Sequence, residues 1–152
     1  MGIIFVPNAF AEITISDDAT GGDCATIGTW DSASRTCTFT SDLSEQVTVG
    51  ANNLTLDGNG YTLDRLPETD CSTSVPDRYG IHFNARTTLV IKNFIIKNFC
   101  DGMNFTNSVN NSILDNTITN NDGRGIYISN ANDNVISNNV ISNNDYEGLY
   151  IS

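Results

Sequence analysis

The sequence predicts an all-β fold, a single-stranded parallel β-helix with three strands per coil and about 22–23 residues per coil. Repeats begin at Gly80, Gly102, Gly125 and Gly148, in steps of 22, 23 and 23 residues, and a period of this length is typical of solenoid proteins. Each repeat carries three short apolar segments separated by turn-forming residues, and none is long enough for a helix. β-branched side chains, which strands favour, dominate these segments.

Each apolar segment supplies one strand, and its copy in the next coil lies about 4.8 Å away. Alternation such as Ile126-Tyr127-Ile128 turns one side chain inward and the next outward, so the inward residues of successive coils form columns. The predicted inward residues are Ile81/Phe83, Met103/Phe105, Ile126/Ile128 and Leu149/Ile151 on the first strand, Val90, Ile113 and Ile136 on the second, and Ile95, Ile118 and Ile141 on the third.

Asparagine is concentrated between the apolar segments. At a tight corner it tolerates left-handed backbone conformation, and stacked amides can bond the copies above and below. The asparagines are therefore expected to be structural. On the 23-residue period the predicted columns are Asn93, Asn116 and Asn139, and Asn98, Asn121 and Asn144.

The chain is expected to divide into three segments. Residues 1–11 end in Ala9-Phe10-Ala11, a small-x-small pattern that indicates the remnant of a secretory signal, with a first β-strand as the alternative. Residues 12–46 form a cysteine-bearing N-terminal segment or cap, and residues 47–152 form the coils. The last repeat has only its first strand, "GLYIS", so we expect the natural product to be longer and truncated here at its C-terminus.

Four cysteines (Cys24, Cys37, Cys71 and Cys100) predict two disulfides in an exported protein, because their spacing and the single histidine do not suit a zinc site. Cys24 with Cys37 would close a loop around Trp30, and Cys71 with Cys100 would link the long segment 67–80 to the neighbouring coil. Four cysteines nevertheless allow three connectivities.

Charge and hydropathy limit the partners. The net charge is -11 with seven Lys and Arg, which argues against nucleic acid or an anionic membrane surface. No apolar run reaches the length of a membrane span. We therefore expect a secreted, periplasmic or cell-surface protein with no nucleic-acid partner and no membrane insertion.

The repeat "GIYISNANDNVISNNVISNN", residues 125–144, resembles the right-handed parallel β-helix repeats of pectin-lyase-like proteins, and among them the NosD-like group. Residues 54–64, "LTLDGNGYTLD", resemble the coil that often opens such domains. Residues 24–43 resemble a cysteine-bearing segment that precedes this coil in some exported relatives. The resemblance spans roughly residues 40–152 and implies a right-handed β-helix. It implies no single activity, because lyases, hydrolases, epimerases and adhesins share these repeats.

The NosD-like group takes its name from a copper-handling accessory protein. Copper sites need clusters of His, Met or Cys. This chain offers His82, Met1 and Met103, and Met103 falls on an inward column, so we predict no metal site. A copper-accessory role remains the third alternative for function.

Two outward stripes form what we term the first-strand face. It consists of the outward residues of the first strand, His82, Asn104, Tyr127 and Tyr150, and of the residues before each glycine, Tyr79, Asp101, Arg124 and Glu147. In polysaccharide-active relatives the substrate lies along a comparable face. Tyrosine rings can cover sugar rings while polar groups bond hydroxyls, so we expect His82, Asn104, Tyr79, Tyr127 and Tyr150 to bind a glycan or polysaccharide. The alternative is that they are ordinary outward residues of a solenoid.

Catalysis has weaker support in the sequence. Asp101 and Glu147 would lie two coils apart, about 9.6 Å, near the roughly 6.5–9.5 Å that separates the carboxyls of inverting glycosidases. Arg124 could neutralise a uronate carboxylate or simply pair with either acid. A lyase usually needs calcium, and the stacked Asp122 and Asp145 supply too few oxygens. We expect no cofactor, with calcium as the alternative.

Three sequons begin at Asn53, Asn104 and Asn110 and permit glycosylation in an exported protein. A glycan on Asn104 would occupy the first-strand face and argue against ligand binding there.

The sequence thus predicts an exported or cell-surface β-helix module that binds carbohydrate or serves as a structural spacer. Its partners would be a glycan or polysaccharide and the further coils of a longer chain. The main alternative is a fragment of a polysaccharide lyase or glycoside hydrolase that uses Asp101, Arg124 and Glu147.

Overall fold

The structure, a computed structural model, describes residues 12–65, 71 and 79–152. The described residues form an all-β parallel solenoid, which confirms the predicted fold class. The expected signal remnant, residues 1–11, and most of the segment 67–80 lie outside the described residues.

Strands from successive coils stack into three sheets. The elements are, in chain order, β1 (Ile13–Ile15), α1 (Cys24–Ile27), β2 (Gly28–Asp31), β3 (Thr36–Phe39), β4 (Val47–Val49), β5 (Thr55–Asp57), β6 (Thr62–Asp64), β7 (Tyr79–Asn84), β8 (Val90–Lys92), β9 (Ile95–Lys97), β10 (Asp101–Thr106), β11 (Ser112–Leu114), β12 (Thr117–Thr119), β13 (Ile126–Ser129), β14 (Val135–Ser137), β15 (Val140–Ser142) and β16 (Leu149–Ile151). The first sheet runs β1-β4-β7-β10-β13-β16, the second β14-β11-β8-β5-β3-β2 and the third β15-β12-β9-β6.

The core consists of columns of inward side chains, one residue per rung. One column of the first sheet contains Val47, Ile81, Met103 and Ile126, each 0% exposed. The neighbouring column stacks the rings of Phe83 and Phe105 with centroids 4.7 Å apart. The inward columns of the second and third sheets are Cys37, Leu56, Ile91, Ile113 and Ile136, and Leu63, Ile96, Ile118 and Ile141.

Two predicted core positions are wrong by one residue. Val90 lies beside Ser112 and Ile95 beside Thr117, so both side chains are outward and only partly buried, while Ile91 and Ile96 occupy the core. The cause is the shorter first repeat. The repeat that begins at Gly80 has one residue fewer than the next, and the difference lies at its last corner, opposite residues 121–124. Strands β7, β8 and β9, which precede that corner, therefore pair with their copies at a step of 22 residues, whereas β10 pairs with β13 at a step of 23.

The repeated glycines are required by close packing between coils. A Cβ built on Gly102 would lie 2.4 Å from the Ile118 side chain and 2.7 Å from the carbonyl oxygen of Gly125. A Cβ on Gly125 would lie 2.5 Å from the carbonyl oxygen of Gly148. A larger residue at these positions would push neighbouring rungs apart, and this explains why each repeat opens on glycine.

Asparagines occupy two different corner positions, which corrects the predicted columns. Asn93 and Asn98 do not stack on Asn116 and Asn121. They adopt left-handed backbone conformations, with φ of 60° and 61°. Their equivalents in the next two coils are also left-handed: Asp115 and Asn138 in one column, Asn120 and Asn143 in the other.

The second corner position carries a ladder of buried amides. Asn116 donates from Nδ2 to Asn139 Oδ1 at 3.0 Å and to the Ile91 carbonyl at 3.1 Å. Its own Oδ1 accepts the main-chain N–H of Phe94 at 3.0 Å. The pairs Asn111–Asn134 and Asn121–Asn144 repeat this arrangement at the other two corners, below the main-chain N–H groups of Leu89 and Phe99. The ladder satisfies corner groups that the strands leave unpaired.

The coil at 54–64 connects to the next one through two equivalent contacts. Lys92 Nζ lies 3.1 Å from Asp57, and Asn93 donates to the same carboxylate at 2.9 Å. Burial raises the pKa of Asp57, but the hydrogen bonds from Asn93, the main chain and Lys92 outweigh it, and the net shift is downward. In the same way, Asp64 forms an ion pair with Lys97 Nζ at 2.9 Å and accepts a hydrogen bond from Asn98 at 2.6 Å.

The N-terminal segment extends the same sheets. Strand β1 pairs in parallel with β4, and the antiparallel hairpin β2–β3 adds to the second sheet through β5. The expected disulfides are present. They join Cys24 to Cys37 within the hairpin region and Cys71 to Cys100.

The amide ladder can be tested by comparing the two kinds of corner asparagine. We expect Asn116→Ala to lower the free energy of unfolding by roughly 2–3 kcal/mol, because the Phe94 N–H and the Ile91 carbonyl lose a buried partner. Asn120→Gly, at an exposed position with φ of 54°, should change it by less than about 0.5 kcal/mol. Urea unfolding followed by circular dichroism measures both, and equal losses would contradict the assignment.

Candidate ligand-binding face

The outward column of the first sheet contains the predicted stripe. Asn104 lies in register with His82 on one side and with Tyr127 on the other. Tyr150 follows Tyr127 on the next rung. The structure therefore brings these side chains together on four consecutive rungs, because the alternation of β7, β10, β13 and β16 turns them all to the same face.

The stripe begins earlier than the sequence analysis predicted. Thr48 lies in register with His82, and Thr14 with Thr48, so two threonines continue it at the N-terminal end. These rungs were missed because the first 79 residues lack the glycine period. The alternation within Ile13–Ile15 and Val47–Val49 was the available signal.

The residues before the glycines form the second stripe. Tyr79 lies in register with Asp101. Arg124 and Glu147 follow on the next two rungs. Main-chain hydrogen bonds hold them there: the N–H of Gly102 donates to the Arg124 carbonyl at 2.9 Å, and the N–H of Gly125 donates to the Glu147 carbonyl at 3.1 Å.

Two ring stacks lie on the first-strand face. The rings of Tyr79 and His82 have centroids 5.2 Å apart, and those of Tyr127 and Tyr150 are 5.5 Å apart and inclined by only 5°. The guanidinium carbon of Arg124 lies 4.5 Å from the centroid of Tyr150 and 5.3 Å from that of Tyr127. These are cation–π contacts that hold the arginine against the tyrosines.

The two carboxylates bind Arg124 through different groups. Asp101 Oδ1 accepts the main-chain N–H of Arg124 at 2.8 Å, and Glu147 Oε2 lies 3.1 Å from its Nε. Asp101 also packs against Gly123, where a Cβ would approach its Oδ1 to 2.7 Å. The structure therefore brings the three candidate catalytic residues together, with Asp101 bound to the main chain and Glu147 in a partly exposed ion pair.

In the outward column of the first sheet, Asn104 lies between the rings of His82 and Tyr127. The residue is only 7% exposed, but its side-chain amide, which makes no hydrogen bond within the described part of the chain, remains open to solvent. It lies at a concavity of about 380 Å³. The other residues lining this concavity are Tyr79, Asp101, Arg124, Tyr127 and Tyr150.

The sequons lie in different environments. Asn53 and Asn110 are exposed corner residues with φ of 55° and 57°. Asn104 lies in β10 and is only 7% exposed. Glycosylation of Asn53, Asn104 and Asn110 stays a prediction.

The residue types that bind metals are scattered. Across residues 12–65, 71 and 79–152, no three His, Cys, Asp or Glu side chains lie close enough together to hold a metal ion. Met103 is 0% exposed in the core, and all four cysteines are in disulfides.

The imidazole of His82 is half-buried. Burial lowers its pKa below the usual value near 6.5, and the negative charge of Glu12 opposes this shift only in part. As the pH falls through about 6.5, the unfolded chain therefore takes up a proton before the folded chain does. His82 therefore makes its full contribution to the free energy of unfolding above pH 6.5. As the pH falls from 6.5 to the pKa of the folded state, this contribution is lost.

We expect the His82 ring, followed by proton NMR, to titrate below pH 6.5. Tyr79→Ala should move this pKa back toward 6.5, because it removes the ring stacked on the imidazole. Tyr146→Ala, at a side chain 70% exposed, is the control and should leave the pKa unchanged. A wild-type value above 6.5 would show that the ring is not shielded.

Comparisons with known proteins agree with this architecture. The family model described as "Periplasmic copper-binding protein (NosD)" matches residues 26–152. Searches of curated proteins and of solved structures gave no match. In the part of the chain that the structure describes, no helix has the length and apolar character needed to cross a bilayer.

Proposed function

The chain belongs to the family of periplasmic copper-binding proteins named NosD, and on that premise we propose that it is an extracytoplasmic β-helix module whose first-strand face binds polysaccharide without cleaving it. The family is periplasmic by its description, and the two disulfides are consistent with a periplasmic or extracellular location. Both facts restrict the ligand to molecules found outside the cytoplasm.

One observation carries the proposal. The concavity on the first-strand face combines aromatic rings with the amide of Asn104, which has no hydrogen-bond partner among the described residues and remains open to solvent there. An amide that a ligand covers must find hydrogen bonds in that ligand, because leaving it unpaired would cost about 1–3 kcal/mol. A ligand with hydroxyl groups would satisfy it, and the flanking tyrosines would cover the apolar part of a sugar.

The way the carboxylates are held supports binding without cleavage. Hydrolysis needs one carboxyl to donate a proton and the other to act as base or nucleophile. Asp101 accepts a main-chain hydrogen bond from Arg124, and Glu147 is paired with the guanidinium of the same residue. Both acids thereby position Arg124 against the tyrosines, which is a binding role.

The copper named in the family description does not fit the described residues of this chain. His82 is the single histidine, and its ring is stacked on Tyr79 rather than grouped with a second ligand. Among the described residues, the sulfur atoms are either in the core, as in Met103, or in disulfides. Copper sites need several nitrogen or sulfur ligands at one point, so we derive no copper chemistry for this chain.

Polysaccharide binding is tested by removing the rings one at a time. Tyr127→Ala and Tyr150→Ala should each weaken binding to a soluble polysaccharide by roughly three- to ten-fold, since a stacked aromatic contact contributes about 0.5–1.5 kcal/mol. Migration in native gels cast with the polysaccharide measures the affinity, and Tyr146→Ala is the matched control. Release of new reducing ends or unsaturated uronates during incubation would instead favour the hydrolase or lyase alternative that uses Asp101, Arg124 and Glu147.

Copper binding is tested independently. After incubation with copper and dialysis, the chain should retain well under one equivalent of metal, because the described residues offer a single imidazole. Elemental analysis of wild type and His82→Ala measures this. One full equivalent in wild type that is lost in His82→Ala would restore the copper-accessory alternative.

A further inference from the structure

We infer that the rung of Asn104 is a subsite for one uncharged pyranose ring, inserted between the Tyr79–His82 ring pair and the ring of Tyr127. This inference rests on the proposed function and adds to it a position and a ligand class. The outward stripe carries rings on its third, fifth and sixth rungs, at His82, Tyr127 and Tyr150, and lacks one only at Asn104 between them.

The spacing of the rungs suits a single inserted ring. Strands β7 and β13 are separated only by β10, so their outward residues are two rungs apart, about 9.6 Å. Stacked rings have centroids about 4.5–7 Å apart. A ring at the level of Asn104 would therefore lie about 4.8 Å from each neighbouring rung, with little space left over.

The faces of the gap are the correct ones for stacking. Tyr150 covers one face of Tyr127 at 5.5 Å, and the two rings are nearly parallel, so the opposite face of Tyr127 is turned toward the rung of Asn104. On the other side, Tyr79 lines the concavity with its ring stacked against His82. The ligand ring would replace the side chain that the stripe lacks.

The base of the gap provides both hydrogen-bond donors and hydrogen-bond acceptors. The Asn104 amide offers two donor hydrogens and one acceptor oxygen, none of them used within the described residues. Asp101 Oδ2 is a further acceptor, since the bond to Arg124 uses Oδ1. Neighbouring hydroxyls on a pyranose both donate and accept, whereas a purely apolar ring would leave these groups unsatisfied.

The charges favour an uncharged sugar over a uronate. Glu147 neutralises Arg124 through the 3.1 Å ion pair, which leaves the carboxylate of Asp101 as the remaining charge at the concavity. The whole chain carries a net charge of -11. A uronate at this rung would meet like charge both locally and at long range.

The subsite is tested by placing an aromatic side chain at position 104. Asn104→Tyr places the missing ring on the stripe, and Ser142→Tyr adds the same ring to an exposed outward position of the third sheet as a control. Binding to galactomannan, mixed-linkage β-glucan and polygalacturonate is measured by native affinity electrophoresis, with circular dichroism to monitor folding. We expect the wild type to bind a neutral polysaccharide, Ser142→Tyr to match it, and Asn104→Tyr to lose at least about ten-fold in affinity.

The outcomes separate the two proposals. Wild-type affinity in a folded Asn104→Tyr overturns the subsite and leaves the proposed function standing, and binding to polygalacturonate alone overturns the uncharged class. Wild-type binding to none of the three polymers overturns both proposals. If Asn104→Tyr does not fold, Asn104→Ala decides: it keeps the gap but removes the amide, so affinity should fall by roughly five-fold, and an unchanged affinity overturns the subsite.

Discussion

The register between successive coils is the constraint on which the rest of this molecule depends. Each strand hydrogen-bonds to its copy one coil away, so a residue's neighbours are set by the repeat and not by its adjacent sequence. The strands are short, mostly three or four residues, and could not hold this register alone. The corners maintain it: left-handed residues turn the chain, and the buried amides of Asn116 and its equivalents bond each corner to the next.

The same register gives the first-strand face its properties. Because one rung is about 4.8 Å, side chains of one column are at the distance at which rings stack, and the column acts as a ladder of aromatic groups. A short residue in such a column leaves a gap of defined height between the rings on the two neighbouring rungs. Asn104 occupies that place, and we propose that its amide, which has no hydrogen-bond partner among the described residues, binds the ligand there.

Family membership and site chemistry are separate arguments in this protein. The repeats that place the chain in the NosD family specify how the coils stack, and stacking depends on inward and corner residues. What the module binds depends on outward residues, which the stacking leaves free to vary. The outward residues of the first-strand face are three tyrosines, two carboxylates, one arginine, one histidine and one asparagine, and on that composition we propose a hydroxylated ligand rather than a soft metal.

The sequence by itself determined the fold, the inward columns of the first sheet and the composition of the first-strand face. The glycine spacing shows which rung a residue belongs to, and the alternation along each strand shows whether its side chain is inward or outward. It misplaced Val90 and Ile95, and with them Asn93 and Asn98, because a 22-residue repeat does not show where its missing residue lies. Only the tertiary structure decided that position, at the corner opposite 121–124, and the pairing of the cysteines. It also decided that Asp101 accepts a hydrogen bond from the main chain of Arg124 and that the amide of Asn104 has no hydrogen-bond partner among the described residues. These features arise between coils, from side-chain lengths and contacts that no pattern along one chain specifies.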